Sequence, residues 1–127
     1  MFEAVKTRVV AGKTPTSGVV RRGPVVMTAH IPKDPVTGQV VTGDIVVQTR
    51  RTLDNLRMTM EDAGGSLADV MFVQVFLVNA SRAPGLNSAW REFFSEPFPG
   101  RATVVVKELL APGATIEIAA TAYLGAV

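Results

Sequence analysis

The chain has 127 residues, enough for one domain with one core, and residues 1–127 are read as that single domain. Its 13 basic and 11 acidic residues leave a formal charge of +2, the basic ones lie scattered, and one Trp and one Tyr cannot supply a base-stacking surface, so nucleic-acid binding is disfavoured. The absence of cysteine removes a thiol nucleophile and a disulfide framework; no apolar run reaches the length of a membrane span, and the opening MFEAVKTRVV has no apolar leader core, so a cytoplasmic protein is expected.

The first elements are short. Residues 4–9 and 17–20 read as strands, joined by a turn around Gly12 and Pro15. Arg22-Gly23-Pro24 is a second turn, and PVVMTAH (Pro24–His30) a third strand. Pro32 to Gly43 is rich in turn signals, among them Asp34-Pro35 and Thr37-Gly38. From Asp44 to Ala63 the spacing predicts a helix, because Ile45, Thr49, Leu53, Leu56, Met60 and Ala63 recur at three and four residues. Asp44 suits the positive N-terminal end, and Gly64-Gly65 the C-terminal stop.

Ser66-Leu67-Ala68-Asp69 has the form of a capping turn. VMFVQVFLV (Val70–Val78) is almost continuously apolar and reads as a central strand buried on both faces. A second helix is expected over residues 83–95, with Leu86, Trp90, Phe93 and Phe94 along one side, as core. The breaker Pro97-Phe98-Pro99-Gly100 ends it. A strand follows from Arg101 to about Lys107, then a loop at Leu110 to Gly113, then a last strand from Thr115 to Tyr123. This order describes an α+β fold, a mixed sheet with two helices packed on one face. The hydrophobic fraction is 47% and the mean hydropathy +0.28, high for a small monomer. Part of that apolar surface is expected to close a subunit interface.

Two charged residues stand out on the late strands. Arg101 opens one strand, sharing a face with Thr103 and Val105; Glu117 points away from the apolar set Ile116, Ile118, Ala120 and Ala122. If the two strands pair, Arg101 and Glu117 meet or face one pocket, and Arg101 keeps Glu117 ionised. Two readings stand side by side: a structural ion pair at a sheet end, or a guanidinium fork awaiting a carboxylate beside a glutamate that works on water. His30, the one histidine, reads as a polar residue at a strand end, and with no cysteine a metal site is not expected. Asn87 reads as a capping or surface residue.

Taken together, TAHIPKDPVTGQVVTGD (Thr28–Asp44), QTRRTLDNL (Gln48–Leu56), VFLVN (Val75–Asn79), LNSAWREFF (Leu86–Phe94), FPGRATV (Phe98–Val104) and APGATIEIAA (Ala111–Ala120) resemble the reactive-intermediate deaminase family, the Rid or YjgF-type enamine/imine deaminases. The resemblance runs from about Thr14 to Ala122. It implies a chorismate-mutase-like α+β subunit, assembled as a homotrimer with sites in the clefts between subunits. It also implies that Arg101 binds a substrate carboxylate, that Glu117 positions water, and that Thr28, Asn87 and the backbone at Thr103 contribute to binding. Thr16 stands where the family often carries a tyrosine that closes the pocket, Thr103 where a cysteine is frequent, and Thr28-Ala29-His30 where Ser-Gly-Gln is common.

The activity so implied is hydrolysis of 2-imino acids or 2-aminoacrylate-type enamines to 2-keto acids and ammonia, a hydrolase of the 2-iminobutanoate/2-iminopropanoate type, with no cofactor and a small carboxylate as its partner. The alternatives are a carboxylate-binding trimer without catalysis, acting as sensor or chaperone, a deaminase for larger 2-aminomuconate-like substrates admitted by Thr16, and a ribonuclease or translation inhibitor.

Overall fold

Strand alternation and one long amphipathic helix organise the chain around a six-stranded sheet, seen in a computed structural model that describes residues 1–125. The elements are β1 (Glu3–Ala4), β2 (Val19–Arg22), β3 (Val25–His30), α1 (Ile45–Asp62), β4 (Val70–Val78), α2 (Ala83–Phe93), β5 (Gly100–Val106) and β6 (Ile116–Tyr123). Across the sheet they run β1-β2-β3-β6-β4-β5. β4 and β5 are parallel, joined by the crossover helix α2, while β6 is antiparallel to both β3 and β4. β3 and β4 therefore point the same way, with β6 inserted between them and α1 as their connection. The expected α+β class, with a mixed sheet and helices on one face, holds.

One face of the sheet makes the core. Val26 of β3, Val73, Val75 and Leu77 of β4, and Ile116 and Ile118 of β6 are all but completely buried against Leu53, Leu56 and Met60 of α1 and Leu86 of α2. α1 starts where the Asp44 carboxylate accepts the Val47 N–H at 3.0 Å. It stops at Gly64, whose φ of +94° suits glycine and few other residues. The turn at Leu67–Asp69 carries the expected capping box, Ser66 and Asp69 each accepting the other's backbone N–H in that turn.

α1 also buries a polar stripe that its apolar periodicity does not announce: Gln48, Thr49, Thr52, Asn55 and Thr59. Its purpose is visible in the loops. Gln48 Nε2 donates to the carbonyls of Val41 and Gly113, and Gln48 Oε1 accepts from the N–H and the hydroxyl of Thr115. Asn55 Nδ2 donates to the Lys33 carbonyl at 2.8 Å. Side chains of one helix thus supply partners that irregular loop backbone needs when it lies against a core.

Three expectations change. The strand expected over residues 4–9 shrinks to Glu3–Ala4, because Arg8 turns the chain onto α1. The Arg8 backbone N–H and Nε both donate to Asp62, and its Nη2 to Glu61. The strand expected over 17–20 lies at Val19–Arg22, running to the turn at Gly23. β4 is central, as expected, but buried on one face only. A bulge at Met71 resets the alternation, and Phe72, Gln74 and Phe76 lie on the open face, Phe72 45% exposed. Among the described residues no element of the subunit covers the apolar content of that open face.

Replacing the fully satisfied Gln48 by leucine (Gln48→Leu) strands two carbonyls and a backbone N–H. The free energy of unfolding should fall by about 2–3 kcal/mol, since unpaired buried polar groups cost about 1–3 kcal/mol each. Urea denaturation measures it as a lower midpoint at unchanged slope; an unchanged midpoint would show that the loops do not depend on Gln48.

Candidate functional site

β5 begins at Gly100, where a side chain would strike the Phe72 ring at 2.7 Å, so the backbone can lie close beside β4. The next residue, Arg101, pairs with Val73, whose side chain is buried under the helices. Paired residues share a face, so Arg101 projects to the helix side. There its Nη2 donates to Asn87 Oδ1 at 2.6 Å, and its guanidinium carbon lies 4.8 Å from the centre of the Trp90 ring. Among the described residues no carboxylate is within ion-pairing distance of it. Burial, and then the positive charge of Arg91, hold its pKa below the usual arginine value. The result is a half-buried, hydrogen-bonded cation without a counter-ion, which favours an incoming carboxylate.

Glu117 lies on β6 opposite Phe76 and alternates with the buried Ile116 and Ile118. It therefore points to the open face, with Ala119 and Thr121 further along the same strand. Burial alone pushes its carboxyl above the usual glutamate value, and among the described residues it too has no charged partner. This overturns the expected meeting of Arg101 and Glu117. Their strands do not pair, since β4 lies between them, and the two side chains leave opposite faces. An ion pair between them within one subunit is ruled out, and Arg101 does not keep Glu117 ionised there.

The other candidates divide between these regions. Asn87 is brought to Arg101, on the helix side. Thr103 shares the face of Arg101 and is exposed at the sheet edge. Thr16 lies in the exposed loop before β2, its hydroxyl 2.8 Å from that of Thr14. Thr28 is buried on the helix side, where its hydroxyl donates to the Gly18 carbonyl at 3.0 Å and lies 2.9 Å from His30 Nε2. Because that hydroxyl spends its proton on Gly18, it accepts from His30, which assigns the imidazole proton to Nε2. Burial, with a smaller contribution from Lys33, brings the His30 pKa down to about 4. His30 is a neutral core residue at the end of β3, turned away from the face that carries Glu117.

Two surface concavities accompany these groups. One, of about 360 Å³, lies between the helices, lined by Val41, Val47 and Phe93 and spanned by the Arg50–Glu92 pair at 2.9 Å. The other, of about 330 Å³, lies on the open sheet face among Met27, Ala29, Phe72, Gln74 and Ala119. Neither is lined by Arg101 or Glu117, though the second shares the face of Glu117. Among the described residues the two unpaired charges thus lie on opposite faces of one subunit. Among the described residues no cluster of His, Asp and Glu suits a metal. The residue that sequence reasoning placed only in the core is Trp90; the signal was its position one helical turn after Asn87.

Comparison with known proteins agrees with this fold and identifies the family. A family model described as endoribonuclease L-PSP matches residues 7–124. A RutC family protein of Pyrococcus abyssi is 38% identical over 110 residues, 86% of each chain. The 3-aminoacrylate deaminase RutC of Acinetobacter baylyi is 37% identical over 79% of each chain. A 2-iminobutanoate/2-iminopropanoate deaminase of Dermatophagoides farinae is 37% identical over 58% of this chain and 57% of its own. The crystal structure of RidA from a Psychrobacter species superposes with a TM-score of 0.89, at 31% identity, covering 95% of this chain and 98% of that one.

The depressed His30 pKa predicts an acid-sensitive fold. The unfolded chain takes up a proton near the ordinary histidine value of 6.5, while the folded one resists it until about 4. Stability present above the unfolded pKa is therefore lost as the pH falls through this window, at up to about 1.4 kcal/mol per pH unit. His30→Gln keeps a donor for Thr28 and has no such proton. Its stability should fall less steeply between pH 6.5 and 4, as followed by urea titration; parallel curves would contradict a neutral, buried His30.

Proposed function

The chain belongs to the Rid/YjgF family, the one whose model matches nearly its whole length, and from that premise we propose that it hydrolyses 2-imino acids, or 2-aminoacrylate-type enamines through their imine tautomers, to 2-keto acids and ammonia. The names borne by two relatives, 3-aminoacrylate deaminase and 2-iminobutanoate/2-iminopropanoate deaminase, support this class of reaction. The observation that carries it is the pair of unmatched charges: Arg101 on the helix side of the sheet edge and Glu117 on the open face.

Two half-sites on opposite faces of one subunit become one site when neighbouring copies supply one each. A homotrimer does this with every copy equivalent. Its interface has a source in the exposed apolar side chains of the open face, Met27 and Phe72 among them, and in the edge strand β5, where Val104 and Val105 are 44% and 56% exposed.

In the proposed cleft Arg101 grips the substrate carboxylate with two parallel hydrogen bonds and so fixes the imine carbon. Glu117 of the neighbouring subunit accepts a proton from water as the water oxygen bonds to that carbon and the C=N electron pair moves to nitrogen. The proton is returned to nitrogen to give the carbinolamine; its hydroxyl proton then passes to nitrogen through Glu117 as the carbonyl forms, and the C–N bond breaks to release ammonia. Water and imino acid balance keto acid and ammonia, with no cofactor or metal consumed. A carboxyl whose pKa is raised by burial is a stronger base than an exposed glutamate. Asn87 serves by holding Arg101, and the Thr103 backbone, as the family resemblance implies, steadies the tetrahedral intermediate. A phosphate-binding ribonuclease surface has less support, because Arg8, Arg50, Arg51 and Arg57 are each paired with carboxylates.

The test is ammonia release from 2-imino acids generated in place by an amino-acid oxidase, on protein shown by light scattering to be a trimer. Arg101→Ala should lower kcat/KM by about 10²-fold or more through lost positioning, and Arg101→Lys should rescue it poorly. Glu117→Gln should lower turnover by about 10²–10⁴-fold while keto-acid affinity is kept. Carboxylate binding at Arg101 without ammonia release from any imino acid would replace the enzyme by a binding trimer.

A further inference from the structure

Resting on the reading of Arg101 as the carboxylate clamp, we infer that Trp90 is a positioning residue: its ring fixes the plane of the Arg101 guanidinium and, with Asn87, leaves that group a single two-pronged edge for the substrate carboxylate.

Asn87 and Trp90 are three residues apart on α2, one turn, and so share a face of the helix. Leu86 and Ala89, both fully buried, anchor that helix in the core. Trp90 is itself only 5% exposed, and its ring is braced by Phe94 at 4.8 Å between centroids. The indole is therefore a fixed surface, and Arg101 rests on it at 4.8 Å. A cation over an aromatic face is attracted by the ring's quadrupole, most strongly for tryptophan.

The hydrogen bond to Asn87 then removes an ambiguity. A guanidinium has two edges that can grip a carboxylate with parallel bonds, one made by Nη1 and Nη2, the other by Nε and Nη2. Each edge needs one of the two Nη2 protons. Asn87 Oδ1 takes one of them at 2.6 Å, so one edge is closed and the other stays open. With the plane set by Trp90 and the edge by Asn87, the carboxylate has one way to dock, and the direction to the imine carbon follows from it. A leucine in place of Trp90 fills the core but offers no π-face; a phenylalanine offers a weaker one.

Trp90 is the only tryptophan of the chain, so its emission reports directly on this contact. In the assembled wild-type protein, propionate added at constant ionic strength against chloride should change the emission saturably, and Arg101→Ala should abolish the change. In ammonia-release assays Trp90→Phe should stay within about threefold of wild type, whereas Trp90→Leu should raise KM by about tenfold and lower kcat, beyond any loss of folded protein measured by circular dichroism. An emission that ignores propionate while propionate inhibits turnover would overturn the inference. So would equal kinetic constants for the Phe and Leu variants. If the Leu variant does not fold, the emission titration and the Phe variant decide. Propionate binding without ammonia release would sink the deaminase reading and leave this inference standing; normal turnover in folded Trp90→Leu would do the reverse.

Discussion

The pleat of the sheet governs this molecule. Alternate residues of a strand leave opposite faces, and a strand's neighbours keep that parity across the ladder. Arg101 aligns with the buried Val73, and Glu117 with the half-exposed Phe76, so the two charged groups part company although their strands are separated only by β4. No rotamer change brings a side chain through a sheet. A subunit that needs both groups in one place must borrow one of them from a second copy. The exposed apolar face, the bare edge of β5 and the high hydrophobic content are consistent with that need.

The two unmatched charges are also expensive. A guanidinium and a carboxyl, each withdrawn in part from water, lose solvation and have no counter-ion among the described residues of the subunit. Along α1 charges are paired instead: Arg8, Glu61, Arg57 and Asp54 form a continuous ion-pair chain. The contrast is informative, because local rules are broken where function is served. Trp90 and Asn87 lower the cost for Arg101 without neutralising it, and so leave it able to bind an anion. Nothing comparable supports Glu117, whose small neighbours Ala119 and Thr121 leave space for water or substrate.

Much of this was legible in the sequence where the signals are local. α1 lies between Asp44 and Gly64 as its cap and stop residues indicate, and PFPG marks the start of β5. The set of ordered motifs identified the family. Pairing was not legible, because the insertion of β6 between β3 and β4 is a long-range event that no periodicity records. The burial of β4 on one face only was hidden for a related reason: an apolar run reads alike whether its second face meets a helix or another subunit. Residues 4–9 read as a strand by composition, and the Arg8–Asp62 bond, 54 residues apart, draws the chain after Ala4 to the helix instead. Trp90 read as core and is core; its contact with Arg101 appears only when the sheet and α2 are seen together.

The most direct measurement is complementation between two inactive variants. Arg101→Ala and Glu117→Gln subunits carrying different tags are co-expressed and the mixed oligomers purified. If each site takes Arg101 from one subunit and Glu117 from the next, every mixed trimer regains one intact site. The purified mixed trimers then show about one third of wild-type ammonia release, since one site in three is whole in each. If both residues act from the same subunit, no mixed trimer regains a whole site, and activity stays at the level of the separate variants.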